Sequence, residues 1–283
     1  MDATTRDGAG DYGRLSQWRD TTRVSAEQAK ELTSRLEQRA KAQDEIAARD
    51  EYLRLLSLTP GERVLDIGCG SGVVTRAIAS KVVPGGRVLG IDSSSEFLAV
   101  ARKEAESAGI SAAVEFREGD CRRLPLEDAA FDAVLAATVF AHVPGVEAAI
   151  DEMIRVTKRG GRVGVFDFDG DCFVVSHPDR ELTRRIVAAF SDHSAVNSHL
   201  VRRLPGILSE RGIVDVQARG LMSLERGAGF YSNMAERAAQ LAAKVGAVTT
   251  AEADAWMNDL HEQLRNNTFM GGRLHIFVWG RRS

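Results

Sequence analysis

The sequence predicts an α/β fold: a mostly parallel, doubly wound sheet with helices on both faces, N-terminal helices before it and a helical insertion ahead of the last strand. Three observations carry this. From residue 63 short apolar runs alternate with helix-forming stretches. The first run, Arg63-Val64-Leu65-Asp66-Ile67, leads straight into glycines at 68, 70 and 72. After Phe168 the rhythm loosens into longer helical stretches before a last apolar run at Leu274-His275-Ile276-Phe277-Val278-Trp279. Short buried strands alternating with helices imply right-handed crossovers and a sheet covered on both sides.

In chain order, residues 1–24 read as a mobile segment. Helix formers dominate 25–56, with Ser25 as N-cap. The apolar positions Leu32, Leu36, Ile46 and Leu53 are irregularly spaced, so this helix carries a narrow buried stripe or is broken. Thr59-Pro60-Gly61 stops it. A helix over 73–81 follows the first strand, and Pro84-Gly85-Gly86 turns the chain into a second strand at 87–91. Residues 94–108 are helical with Ser94 or Ser95 as cap, 112–117 is the third strand and 131–136 the fourth. A helix over 146–157, a turn at Arg159-Gly160-Gly161 and a fifth strand at 162–168 complete the regular part. Beyond it lie helices at 178–190 and 200–211, a strand at 213–219, and a helical pair at 230–246 and 250–266 divided by Gly246. The second of that pair opens with Thr249 or Thr250 and Glu252. Residues 25–283 are expected to form one domain: a helical part at 25–58, a ligand-binding core at 60–170, and 171–283 completing the second half of the site.

Composition narrows the classes. Apolar residues make up 44% and charged residues 27%, the balance of a folded chain. The formal charge is -3 with both signs interspersed, so no basic face points to nucleic acid or to an anionic membrane. Cys69, Cys121 and Cys172 are odd in number and widely spaced, which reads as reduced thiols in a cytoplasmic protein. The first residues lack the basic start and apolar run of a signal peptide, and no stretch is apolar for long enough to span a bilayer.

The strongest chemical signal is Asp66-Ile67-Gly68-Cys69-Gly70-Ser71-Gly72, at the carboxyl end of the first strand, where open α/β sheets bind ligands. Glycine permits unusual dihedrals and lets a ligand approach the backbone. A dinucleotide fingerprint needs a third glycine where Val73 stands, so a pyrophosphate reading fails. Asp66 beside the loop instead suits a ligand with an ammonium group, as in the amino-acid tail of S-adenosylmethionine. Asp92, followed by Ser93 at the end of the second strand, can accept from both hydroxyls of a ribose. Asp120 after the third strand can accept from an adenine amine, with the Cys121 amide donating to a ring nitrogen. The fourth strand ends at Ala136-Ala137-Thr138, near the methionine portion of such a ligand.

With these four signals in order, residues 60–170 resemble the class I S-adenosylmethionine-dependent methyltransferases, in the branch of the ubiquinone/menaquinone methylases and other small-molecule methyltransferases. The resemblance implies a Rossmann-like, seven-stranded sheet with an antiparallel last strand. It implies cofactor contacts from Gly68, Gly70, Ser71, Gly72, Asp92, Asp120, Cys121 and Ala137. It also implies methyl transfer to an oxygen, nitrogen or carbon of a small-molecule acceptor in quinone or specialised-metabolite biosynthesis, with S-adenosylhomocysteine as product. The Asn-Pro-Pro-Tyr-type motif of amide and base methylation is missing after the fourth strand. The rival readings are a protein that binds S-adenosylmethionine without transferring its methyl (a sensor, a partner subunit or a cyclase) and a nicotinamide-dependent oxidoreductase. Oligomeric state is left open.

His142, after the fourth strand, is the candidate base, weighed against a histidine packed beside the cofactor. His177, His193 and His199 are read as surface or capping residues on the acceptor side. Tyr12, Trp18, Phe230 and Tyr231 are weighed as a lid over the sulfonium against simple packing. Asp167, Asp169 and Asp171 are expected in a solvated turn rather than as metal ligands. Cys69 and Cys121 act through their backbone, not as nucleophiles.

Overall fold

The computed structural model describes residues 24–283. The expected long N-terminal helix is two: α1 (Ala26–Arg39) and α2 (Gln43–Leu55). Ser25 caps α1 in a capping box with Gln28, satisfying two free amides reciprocally. The Tyr12 and Trp18 positions lie outside the described residues.

Strands β1 (Arg63–Ile67), β2 (Arg87–Asp92), β3 (Val114–Glu118) and β4 (Phe131–Ala137) alternate with helices α3 (Val73–Val82) and α4 (Ser95–Ser107). A short 3-10 turn at Phe140–His142 leads to α5 (Val146–Val156) and β5 (Thr157–Val175). Then come α6 (Arg180–His193), α7 (Leu200–Glu210), β6 (Ile213–Arg226), α8 (Phe230–Lys244), α9 (Thr250–Arg265) and β7 (Met270–Arg282). The sheet has seven strands in the order β3-β2-β1-β4-β5-β7-β6. β1 to β5 pair in parallel, and β7 runs antiparallel to both β5 and β6. This is the doubly wound, Rossmann-like sheet that the sequence predicts. Its order reverses between β1 and β4, the switch point where such sheets open a crevice.

Alternation along each strand divides the core. Leu65, Ile67, Val134 and Ala136 face α5 and α7, while Val64, Ala133 and Leu135 face α2 and α3. Asp66 shares the second face with Val64, which sends its carboxyl towards α3. A further core forms where α6, α8 and α9 pack around Trp256 and Phe269 against Phe173 of β5. Thr249 caps α9 in a box with Glu252.

The last three strands are longer than their apolar runs predicted, because β5, β6 and β7 support one another beyond the parallel part. This overturns the expected solvated turn after the fifth strand. Asp167 and Asp169 lie within β5 and are 1% and 3% exposed. Asp167 accepts from the amides of Ala141 and Phe168, and Asp169 takes a two-pronged hydrogen bond from Arg202 at 2.6 Å on each oxygen. Asp171 alone is exposed, and it ties His199 and Ser191 to the strand.

Candidate active site

The carboxyl ends of β1, β2 and β4 open into a cavity of about 1230 Å³. Asp66, Gly68, Cys69, Gly70, Ser71, Asp92, Ser93, Asp120, Cys121, Ala137 and His142 all line it, so residues spread over 77 positions converge on one space. Gly72 does not line it and serves as the N-cap of α3.

The loop between β1 and α3 needs its glycines for two reasons. Gly68, Gly70 and Gly72 all have positive φ, at 68°, 54° and 80°, where a side chain is strained. A Cβ on Gly68 would also sit 2.4 Å from Val139, and one on Gly72 would sit 3.1 Å from both Ala101 and Phe116. At these two positions the protein's own packing demands glycine.

Asp92 braces this loop. Its Oδ2 accepts from the Gly70 amide at 2.9 Å and its Oδ1 from the Ser94 amide at 3.0 Å, and the residue lines the cavity. Burial raises its pKa despite those bonds. Asp66 is 1% exposed, and Thr75 donates to its Oδ2 at 2.6 Å. Burial pushes this carboxyl up to about 7, with Asp92 adding a smaller repulsion. Ser71 presents a buried hydroxyl with no hydrogen-bond partner among the described residues. The loop therefore offers a carboxylate that a cation would stabilise and an orphan hydroxyl, a donor set that fits an amino-acid tail.

Asp120 is half-exposed and held by Arg122, whose side chain bonds both carboxylate oxygens at 2.7–3.1 Å and whose amide bonds Oδ1. That pairing keeps its carboxyl below the usual range. Cys69 and Cys121 are pushed up by burial, Cys121 to about 12, so both remain thiols.

His142 is half-buried beside Phe168, with ring centroids 5.7 Å apart. Burial, with the nearby charge of Arg273 adding to it, pushes its imidazole down to about 3. It stays neutral at physiological pH and is a weak proton acceptor. Of the other histidines, His193 lines the cavity, whereas His177 stacks on Trp256 and His199 bonds Asp171. The two expected lid aromatics part company. Phe230 lines the cavity beneath Arg39, and Tyr231 is 3% exposed in the second core, its hydroxyl donating to Glu45.

The structure adds residues that the motifs did not single out: Arg39, Glu45, Tyr52, Phe166, Phe168, Arg273 and His275 also line the cavity. One sign of them is present in the sequence. Arg273 and His275 are polar residues two apart beside the apolar run of the last strand, which places them on one face.

A glycine loop at the switch point, with acids closing the ends of adjacent strands, fits the S-adenosylmethionine-binding class of doubly wound folds. Residues 64–161 match the methyltransferase domain family. An uncharacterized 37.1 kDa protein in transposon TN4556 of Streptomyces fradiae is 31% identical over 210 residues, covering 74% of this chain and 60% of that protein. A demethylmenaquinone methyltransferase of Bacillus cytotoxicus is 38% identical over 117 residues, covering 41% of this chain and 49% of that enzyme. The YcgJ protein of Bacillus subtilis has the same fold, with a TM-score of 0.60 at 20% identity over 83% of this chain and 98% of that one. The chain thus carries a domain of the class I S-adenosylmethionine-dependent methyltransferase family. It spans about half to three-fifths of the length of these curated relatives. Among the described residues no helix is long and apolar enough to cross a membrane.

Proposed function

We propose that the protein is an enzyme that transfers a methyl group from S-adenosylmethionine to an oxygen, nitrogen or carbon of a small molecule, in quinone or specialised-metabolite biosynthesis. The observation that carries this is the convergence of Asp66, Asp92 and Asp120 with the glycine loop on a single cavity at the switch point. Asp66 and Ser71 would hold the amino-acid tail, Asp92 and Ser93 the ribose, Asp120 and the Cys121 amide the adenine. The backbone of Gly68 to Gly72 and Ala137 would shape the space between them. In this reading residues 60–170 bind the cofactor, and 25–58 and 171–283 build the acceptor side of one domain.

When bound, the cofactor supplies a methyl on a sulfonium, which the acceptor nucleophile takes with release of S-adenosylhomocysteine. The protein's part is alignment and exclusion of water. Holding two reactants in line can supply about 7–11 kcal/mol of the barrier. Phe166, Phe168 and Phe230 give the cavity walls that shed water. His142, kept neutral by burial, would position an acceptor rather than take its proton at neutral pH.

Calorimetric titration with S-adenosylhomocysteine, and separately with NADH, tests the cofactor assignment. Binding of the first alone supports it, and acceptors can then be screened by mass for the gain of one methyl. NADH binding would restore the nicotinamide reading. Cofactor binding with the methyl left intact in every acceptor would favour a sensor, partner subunit or cyclase.

A further inference from the structure

The cavity lining drawn from α1, α2, α8 and β7 is cationic. Arg35, Arg39, Arg49, Arg237, Lys244 and Arg273 contribute to it, and Glu45 is the one acid from these elements. Glu45 is already committed to Arg39 at 2.9 Å.

Arg273 has no such partner among the described residues. It is 5% exposed, and among the described residues its buried Nε and Nη2 have no hydrogen-bond acceptor. Its Nη1 reaches only the Met234 sulfur, at 4.0 Å, beyond a useful hydrogen bond to a weak acceptor. The guanidinium lies over the Phe168 ring at 3.4 Å from the centroid, which fixes its plane. Asp167 and Asp169 attract it without bonding it: Asp167 accepts from two amides and Asp169 from Arg202. A desolvated cation with open donors is unfavourable unless an anion meets it. Arg237 adds positive charge to this lining: it is half-buried, repelled by Arg35 and attracted by Glu236, and its pKa is lowered chiefly by burial. The surfaces around these cations are apolar, from Phe166, Phe168, Phe190, Phe230 and Met234.

We infer that the acceptor is an apolar molecule bearing a carboxylate, with Arg273 as the group that receives the carboxylate and Arg237 reinforcing the attraction. This rests on the proposed methyltransferase function. The planar guanidinium fork matches a carboxylate with two parallel hydrogen bonds. A phosphate dianion fits less well, because Asp167 and Asp169 stand near Arg273 and would oppose a second negative charge. Arg273 is a binding residue in this account and moves no proton.

The probes are 1-naphthoate, its neutral counterpart 1-naphthamide, and 1-naphthyl phosphate. Each is titrated calorimetrically into the full chain already saturated with S-adenosylhomocysteine. Naphthoate should bind about ten- to a hundredfold more tightly than the amide, the range of a charged hydrogen bond. Arg273→Met should lose that preference while keeping its affinity for S-adenosylhomocysteine, and Arg273→Lys should retain part of it. The wild-type comparison of acid with amide stands even if Arg273→Met fails to fold. Equal binding of acid and amide, no binding of naphthoate, or a preference that survives Arg273→Met would overturn the inference. Tighter binding of the naphthyl phosphate would overturn the choice of carboxylate. Failure of S-adenosylhomocysteine itself to bind would instead strike the proposed function.

Discussion

Replacing Asp66 with Asn should stabilise the fold while weakening the cofactor site, and pH separates the two effects. Burial raises this carboxyl from 3.8 to about 7. The folded protein thus holds the proton more tightly than the unfolded chain does. The stability Asp66 contributes is fully present below about pH 3.8 and is lost as pH rises through about 7. At roughly 1.4 kcal/mol per unit, that shift makes the buried charge cost about 4 kcal/mol above pH 7. Asn can still accept from Thr75 Oγ1, but its buried amide nitrogen needs a partner as well, a cost of about 1–3 kcal/mol. The net gain above pH 8 is therefore about 1–3 kcal/mol, and by pH 4.5 it vanishes or reverses. Thermal melts of both proteins at the two pH values read this out, at roughly 2–4 °C per kcal/mol for a chain of this size. S-adenosylhomocysteine should bind Asp66→Asn more weakly by about 1.5–3 kcal/mol, for loss of the charge that meets its ammonium. A melting difference that ignores pH would refute the buried-charge account, and unchanged affinity would take Asp66 out of the ammonium contact.

Asp92→Ala should weaken S-adenosylhomocysteine binding by about 1.5–3 kcal/mol, since it removes both the ribose acceptor and the brace on Gly70. A folded variant with unchanged affinity in calorimetry would remove Asp92 from the site. Gly68→Ala should destabilise in urea unfolding by about 2–4 kcal/mol, from the left-handed backbone together with the clash on Val139. Gly61→Ala, with a φ of 90° but nothing within 4 Å of the added Cβ, should lose only the backbone share of about 1–2 kcal/mol; equal losses would contradict the packing role of Gly68. The imidazole of His142, pushed down to about 3, should show flat NMR shifts from pH 5 to 8, and a midpoint near 6.5 would refute its burial.

The cofactor half of the site was legible because its chemistry is local in the chain. The turn that exposes Gly68 to Gly72 follows a strand of only five residues, and the hydrogen bonds that shape it come from Thr75 and Asp92, close by in sequence or on the neighbouring strand. Parallel strands buried on both faces also read as uninterrupted apolar runs, so β1, β2 and β4 were found nearly to the residue. The strands that were misjudged, β5 to β7, pair antiparallel and continue where their sequences turn polar. Asp167, Asp169 and Asp171 look like a turn because the partners that bury two of them, Ala141 and Arg202, lie 26 and 33 residues away.

The acceptor side was hidden for a related reason. Its cations come from α1, α2, α8 and β7, elements brought together from both ends of the chain, and on a one-dimensional reading each Arg is one more surface charge. Evenly mixed charge in the sequence is compatible with strongly separated charge in the fold, since the folded chain sorts side chains by face. Here the acids at the ends of β1, β2 and β3 stand where an ammonium, a ribose and an adenine amine would all call for acceptors, while Arg237 and Arg273 enter the same cavity from α8 and β7. A buried cation with open donors calls for an anion, and in the inference above the acceptor supplies it. That separation ties the chain's near-neutral total to a site with two opposite demands, and it makes the charge of the acceptor, rather than its size or hydrophobicity, the property this fold is best placed to select.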